Sequence, residues 1–292
     1  LITQGRCGEI VLFDVAHQVA QGKALDLAQM AGALRSPIHV KATEDYADFR
    51  ASDIVIITAG SPRKSGESRE ALLLKNATIV KSIVAALREY VPEAILLIVS
   101  NPLDAMTYVA LKESGFPRER VIGMAGVLDS ARMAHAIASV GDLPVEAINA
   151  TVIGSHSDQM VPLLRFSTCK GVSVETLLDA TACAEVAERT KAGGIKIVEL
   201  MGTSAYYAPA LSTCVMVDAI LDDLKQTLPC AVLLEGEYGC REVVCGTLVT
   251  LGRHGAEQID EVGLSNKEKN AFSASVAEVE KQIVLLKAQG LV

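Results

Sequence analysis

A histidine among small residues, after an apolar run, is the part of this sequence best equipped for chemistry. In Gly154-Ser155-His156-Ser157-Asp158 the neighbours are small enough to admit a substrate beside the imidazole. An imidazole titrates near neutrality, so it can take and return a proton within one cycle. A lone histidine is more often structural, and His17, His39, His135 and His254 are read that way. A second pattern is Leu128-Asp129-Ser130-Ala131-Arg132, where a carboxylate and a guanidinium three positions apart share nearly one helix face. By itself it reads first as a helix opening capped by Asp129. Ser61-Pro62-Arg63-Lys64-Ser65-Gly66-Glu67-Ser68-Arg69 carries several cations after a strand-like run. It suits an anionic ligand and reads equally as a solvated loop. Asn101-Pro102 is either a polar anchor at a strand end or an ordinary turn.

The elements that must position these residues alternate. Strands are expected at Ile10–Phe13 (ending in Asp14), Ile38–Lys41, Asp53–Thr58 and Ala94–Val99. Helices are expected at Val19–Leu34, Arg69–Tyr90 and after Pro102. Apolar runs without polar alternation, separated by helices, indicate a parallel sheet covered on both faces. That is the α/β class with a doubly wound parallel sheet. The second half changes character. A strand at Ile148–Ile153 is followed by helices over Val174–Leu200, interrupted near Thr181 and Gly193-Gly194, and over Tyr206–Leu224. Antiparallel strands near Thr227–Leu234 and Glu242–Leu251 and a helix over Asn266–Gln289 complete it. Two units are therefore expected, a doubly wound domain over 1–127 and an α+β substrate domain over 128–292.

Asp14 closes its strand before a helix, as does the acidic residue that binds ribose in dinucleotide folds. That residue follows a G-x-G-x-x-G turn by about 20 positions. Counting back from Asp14 passes Leu1, so a first strand and glycine loop are expected ahead of residue 1, with Gly5–Gly8 closing the first helix.

Bulk properties exclude several classes. The chain has 292 residues, half of them apolar, which fits globular domains with real cores. Net charge is −8 with no basic stripe, against a nucleic-acid partner. The longest apolar runs are too short to cross a bilayer, and without a cationic stretch and apolar run at the start of the given sequence no secretion is expected. Seven scattered cysteines without a C-x-x-C pair fit a reducing cytoplasm rather than a disulfide framework or a zinc site. No metal is expected.

In their order and spacing these motifs resemble the lactate/malate dehydrogenase family, most closely the malate dehydrogenases whose sequences look like lactate dehydrogenase. The motifs are Thr58-Ala59-Gly60, the 63–69 loop, Val99-Ser100-Asn101-Pro102, Val121-Ile122-Gly123, Leu128–Arg132 and Gly154–Asp158. The resemblance covers essentially the whole chain. It implies a Rossmann-type fold, NAD as cofactor and a small dicarboxylate as substrate. It gives His156 the substrate proton, Asp129 the orientation of the imidazole and Arg132 the 1-carboxylate. Arg69 falls to the ketone oxygen, Asn101 to a substrate hydrogen bond, and Arg63 to a second carboxylate where lactate enzymes place glutamine. Cofactor contacts are expected from Asp14, Thr58, Ala59, Gly60, Asn76, Val99, Ser100 and Asn101. Ala205 stands where lactate enzymes carry threonine, leaving room for a longer substrate. Ser155 departs from the glycine common in malate enzymes, and is expected to be tolerated. A homodimer or homotetramer is implied. The alternatives are a lactate or other 2-hydroxy acid dehydrogenase, or a non-catalytic relative lacking the glycine loop.

Overall fold

The computed structural model describes residues 1–62 and 68–292. Strand β1 (Glu9–Leu12), helix α1 (His17–Ala33) and strand β2 (His39–Ala42) form a β-α-β unit with β1 and β2 parallel. Strand β3 (Ile54–Ile57), helix α2 (Arg69–Leu87), strand β4 (Ile95–Ile98), helix α3 (Leu103–Ser114) and strand β5 (Val121–Gly123) continue the alternation. Strands β3, β4 and β5 are parallel neighbours. All four residues of β4 are buried, which explains why its sequence is apolar on both faces.

Helix α4 (Gly126–Gly141) opens the second half, followed by strands β6 (Ile148–Asn149), β7 (Val152–Ile153), β8 (Val161–Pro162), β9 (Thr168–Cys169) and β10 (Val172–Ser173). Then come helices α5 (Val174–Leu177), α6 (Ala180–Met201) and α7 (Tyr207–Leu221), and strands β11 (Gln226–Glu235), β12 (Arg241–Gly252) and β13 (Gly255–Asp260). Helix α8 (Asn266–Ala288) is the last. The long antiparallel strands extend the parallel sheet on its β5 edge. The strand order is β13-β12-β11-β5-β4-β3, joined where Ala231 faces Gly123. The chain is thus α/β, with a parallel nucleus and an antiparallel extension.

Three local expectations change. The single strand over Ile148–Ile153 is two short strands, because their backbones bond different partners: β6 joins β9, whereas β7 joins β8. Between them Thr151 N–H donates to Ser167 Oγ at 3.1 Å. Helix α6 runs unbroken through Gly193-Gly194, although two glycines cost helix propensity of about 1 kcal/mol each; the side chain of Arg132 packs against them. Strand β13 (Gly-Ala-Glu-Gln-Ile-Asp) is too polar to announce itself, and it forms as an edge strand paired to β12. Among the described residues, no helix is long and apolar enough to cross a membrane.

Candidate active site

The site assembles where α4, β7 and α3 meet. Asp129 lies in the first turn of α4. The helix begins at Gly126, and Ala125 at its N-cap makes no side-chain cap, so the capping role expected of Asp129 does not occur. Its carboxylate turns inward instead and is 2 % exposed. One oxygen, Oδ1, accepts from Arg132 Nη1 at 2.9 Å; the other, Oδ2, lies 2.7 Å from His156 Nδ1. One carboxylate therefore holds a guanidinium and an imidazole at once. The i,i+3 spacing of Asp129 and Arg132 produces the first contact. The second depends on Ser130 Oγ, which accepts from Val152 N–H at 3.0 Å and ties β7 to α4 just ahead of the histidine loop.

The loop 154–158 is fixed from two further sides. On one, Asp104 Oδ2 at the start of α3 accepts the His156 backbone N–H at 2.8 Å. On the other, Ser275 Oγ of α8 accepts the Ser155 N–H at 2.6 Å and donates to Ser155 Oγ at 2.9 Å. Ser155 Oγ lies 2.9 Å from Ser157 Oγ, which donates to Glu278 Oε2 at 2.8 Å. Ser155, which stands where the resemblance gives many malate enzymes a glycine, is thus buried and bonded. Gly154 has φ +86, and a Cβ there would stand 2.8 Å from Ser275 Oγ, so conformation and space both require glycine.

Electrostatics follow from burial and charge. Burial alone would lower the proton affinity of His156. The Asp129 carboxylate, by charge and hydrogen bond, and the more remote Asp104 outweigh burial and the opposing Arg132, and the imidazole is held above its ordinary value. Burial pushes the carboxyl of Asp104 up to about 7, against the His156 N–H bond and imidazole charge that favour its ionised form. Because Nδ1 faces the carboxylate, the neutral imidazole carries its proton there and keeps Nε2 as the free base.

Arg132 is held by more than Asp129. Its guanidinium lies against Gly193 and Gly194 of α6, where a Cβ on Gly194 would stand 3.4 Å from Nη2 and one on Gly193 would stand 3.3 Å from Cδ. Its Nε is buried with no hydrogen-bond partner among the described residues. A buried N–H without an acceptor is costly, and this one suits an arriving anion.

The expected cofactor residues line the carboxyl ends of β1, β3 and β4. Asp14 is exposed just after β1, with Oδ1 accepting Ala16 N–H at 2.9 Å. After β3, Thr58, Ala59 and Gly60 meet Val99, Ser100 and Asn101 after β4, with Ser100 Oγ donating to Ala59 O at 2.5 Å. Asn76 of α2, buried, joins the two segments. Its Oδ1 accepts Ser61 N–H at 2.7 Å, and its Nδ2 donates to Asn101 O at 2.7 Å. An exposed carboxylate and open backbone groups at the carboxyl ends of parallel strands fit a dinucleotide. The side chain of Asn101 is left exposed.

The structure brings His156, Asp129 and Arg132 together. Arg69 opens α2 beside its cap Ser68, exposed, and makes no bond to those three among the described residues. Arg63 lies outside the described residues. Sequence reasoning missed Asp104, Ser275 and Glu278. The signal for Asp104 was present: Leu103-Asp104-Ala105-Met106-Thr107-Tyr108-Val109-Ala110-Leu111 is buried throughout, and a single carboxylate in so apolar a helix calls for a reason.

Residues 1–123 match the model for the lactate/malate dehydrogenase NAD binding domain, and residues 126–289 match the alpha/beta C-terminal domain of that family. The chain is 50 % identical over 286 residues to the malate dehydrogenase of a Nitratiruptor species, covering 98 % of this chain and 90 % of the relative. Among solved structures, malate dehydrogenase from Salinibacter ruber matches with a TM-score of 0.93 at 40 % identity, over 99 % of this chain and 93 % of that one. The lactate dehydrogenase of Cryptosporidium parvum, complexed with lactic acid and nicotinamide adenine dinucleotide, matches at 34 % identity and a TM-score of 0.92, over 97 % and 91 %. Two domain matches in sequence order, full-length relatives and a shared fold converge on one statement: the chain belongs to the lactate/malate dehydrogenase family.

Proposed function

We propose that this chain is an NAD-dependent malate dehydrogenase that interconverts malate and oxaloacetate, with a nucleotide-binding unit over 1–127 and a substrate unit over 128–292. The observation that carries the mechanism is the Asp129 carboxylate shared between His156 and Arg132. His156 Nε2 takes the proton of the 2-hydroxyl in oxidation and returns it to the ketone oxygen in reduction. Asp129 keeps the imidazole in the tautomer that leaves Nε2 free and stabilises the imidazolium once it forms. Arg132, anchored through Nη1, offers its remaining N–H groups to the 1-carboxylate in a planar fork. Arg69 acts on the ketone oxygen, and Asn101 bonds the substrate. Arg63 pairs with the second carboxylate; an unpaired arginine in a closed site is costly, which disfavours pyruvate.

NAD, when bound, supplies the acceptor for the hydride leaving C2. Asp14 accepts the ribose hydroxyls and repels a 2′-phosphate, favouring NAD over NADP. Thr58, Ala59, Gly60, Asn76, Val99, Ser100 and Asn101 line its site. The protein works in the cytoplasm, in keeping with seven free cysteines, and as a homodimer or homotetramer. Supporting an assembly with further copies, Val15, Leu25, Leu200, Tyr207 and Leu211 are all more than 60 % exposed. Steady-state rates with NADH test the substrate: oxaloacetate is expected to be preferred over pyruvate, and the reverse preference overturns the reading.

A further inference from the structure

Asp104 is a buried carboxylate for which the mechanism above has no task. It occupies the second position of α3, is 4 % exposed, and sits in a helix whose other residues through Leu111 are buried and uncharged. Its two oxygens are unequal. Oδ2 accepts the backbone N–H of His156 at 2.8 Å, whereas Oδ1 is buried with no hydrogen-bond partner among the described residues. Structural anchoring alone would be served by a neutral acceptor such as asparagine, without desolvating a charge. A carboxylate is kept here, against the peptide of the one residue that must change its own charge in each cycle.

We propose that Asp104 is a positioning residue for His156, holding its peptide through Oδ2 and acting with Asp129 on how tightly the imidazole keeps its proton. The inference rests on the reading of His156 as the proton-exchanging residue. Two carboxylates then flank the imidazole with different duties. Asp129 bonds the ring and fixes its tautomer. Asp104 bonds the backbone, and its negative charge favours the imidazolium without engaging the ring. The other charged and titratable groups around the pair are Arg132 on α4, which opposes the imidazolium, the buried thiol of Cys245 on β12, and Glu278 on α8, bonded to Ser157. Burial disfavours ionised Asp104, and its carboxyl titrates about neutrality, where a proton gained by His156 and one lost by Asp104 favour each other.

The test is an NMR titration of the histidine Cε1–H signals in the full chain, with His156 assigned by its absence in His156→Gln. Removing the Asp104 charge in Asp104→Asn, which keeps an acceptor for the His156 N–H, is expected to lower the His156 midpoint by about half a unit or more. The pH profile of oxaloacetate reduction should move to lower pH by the same amount. Asp104→Ala removes the acceptor as well; it is expected to lose kcat about tenfold with KM little changed, while Asp104→Asn recovers to within about threefold at its own optimum. A His156 midpoint unchanged in Asp104→Asn overturns the proposal, and so does an Asp104→Ala enzyme with the parent kcat. If Asp104→Ala does not fold, the titration of the near-isosteric Asp104→Asn decides alone. An active His156→Gln enzyme would overturn the functional reading instead, and the measured coupling would stand.

Discussion

The guanidinium of Arg132 rests against the backbone of Gly194, so that a Cβ at 194 would stand 3.4 Å from Nη2. Glycine in the interior of a 22-residue helix is a local weakness, tolerated here where α6 meets Arg132, the side chain proposed to receive the substrate carboxylate. Gly194→Ala is therefore expected to act in opposite directions on stability and binding. The helix gains up to about 1 kcal/mol in propensity, while the new methyl group comes into contact with the Arg132 guanidinium and restricts its movement about its tether on Asp129. KM for oxaloacetate should rise about three- to tenfold with kcat nearly kept. Thermal melting and steady-state kinetics on the same sample check it; an unchanged KM shows that the guanidinium has room to spare.

Arg63 is assigned the second carboxylate of the substrate. On that proposal, Arg63→Gln removes both the charge that would favour a dicarboxylate and the cation that would be left unpaired beside a methyl group. The ratio of kcat/KM for oxaloacetate over pyruvate is expected to fall by about 100-fold or more, on the scale of a lost charge-assisted pair of about 3 kcal/mol. Unchanged selectivity places the discrimination elsewhere, with Ala205 the next residue to exchange.

The raised proton affinity of His156 sets the direction of the pH dependence. If His156 is the base as proposed, malate oxidation requires the neutral imidazole, so its kcat/KM should climb with pH to a midpoint above the ordinary histidine value of about 6.5. Oxaloacetate reduction requires the imidazolium and should fall through the same midpoint. In Asp129→Asn the ring loses the carboxylate that raises it. Both midpoints move to lower pH, and kcat drops by about 10²- to 10⁴-fold. Profiles in the two directions that fail to share a midpoint would separate the titrating group from His156.

Asp104 makes folding itself pH-dependent. Its carboxyl is raised from 3.8 to about 7 in the folded protein, so between those values the folded chain keeps a proton that the unfolded chain releases. The stabilisation is complete below the unfolded value and is lost as pH rises through about 7, a change on the order of a few kcal/mol. Asp104→Asn lacks this dependence. Denaturant unfolding at several pH values is expected to show the variant gaining on the parent from about pH 4 to pH 7 and holding a constant lead above that range. A difference between the two proteins that does not vary with pH contradicts the assignment.

Much of this architecture is legible along the chain. Strands β3 and β4 are runs of branched apolar residues, and parallel strands covered on both faces require such runs. The Asp129–Arg132 pair was visible through helical spacing. Its partner His156, 27 positions from Asp129, was joined to it only by family resemblance. What stayed hidden depends on packing between distant segments. Nothing local in Ser275 or Glu278 marks them as supports of a loop 120 positions away. Gly193-Gly194 read as a helix break because propensity is a local quantity, and the side chain that fits against those glycines comes from another helix. The inward turn of Asp129 likewise became apparent only once α4 was seen to start at Gly126.

The hydroxyl chain from Ser155 and Ser157 to Ser275 and Glu278 also bears on the order in which the molecule is made. Synthesis proceeds from the N-terminus, so Asp129 and Arg132 emerge from the ribosome well before α8. Until residues 275 and 278 arrive, the histidine loop lacks the clamp on one of its sides. A nascent chain would thus bring its carboxylate and guanidinium out early and steady its base only once α8 has emerged and docked, deferring turnover until then.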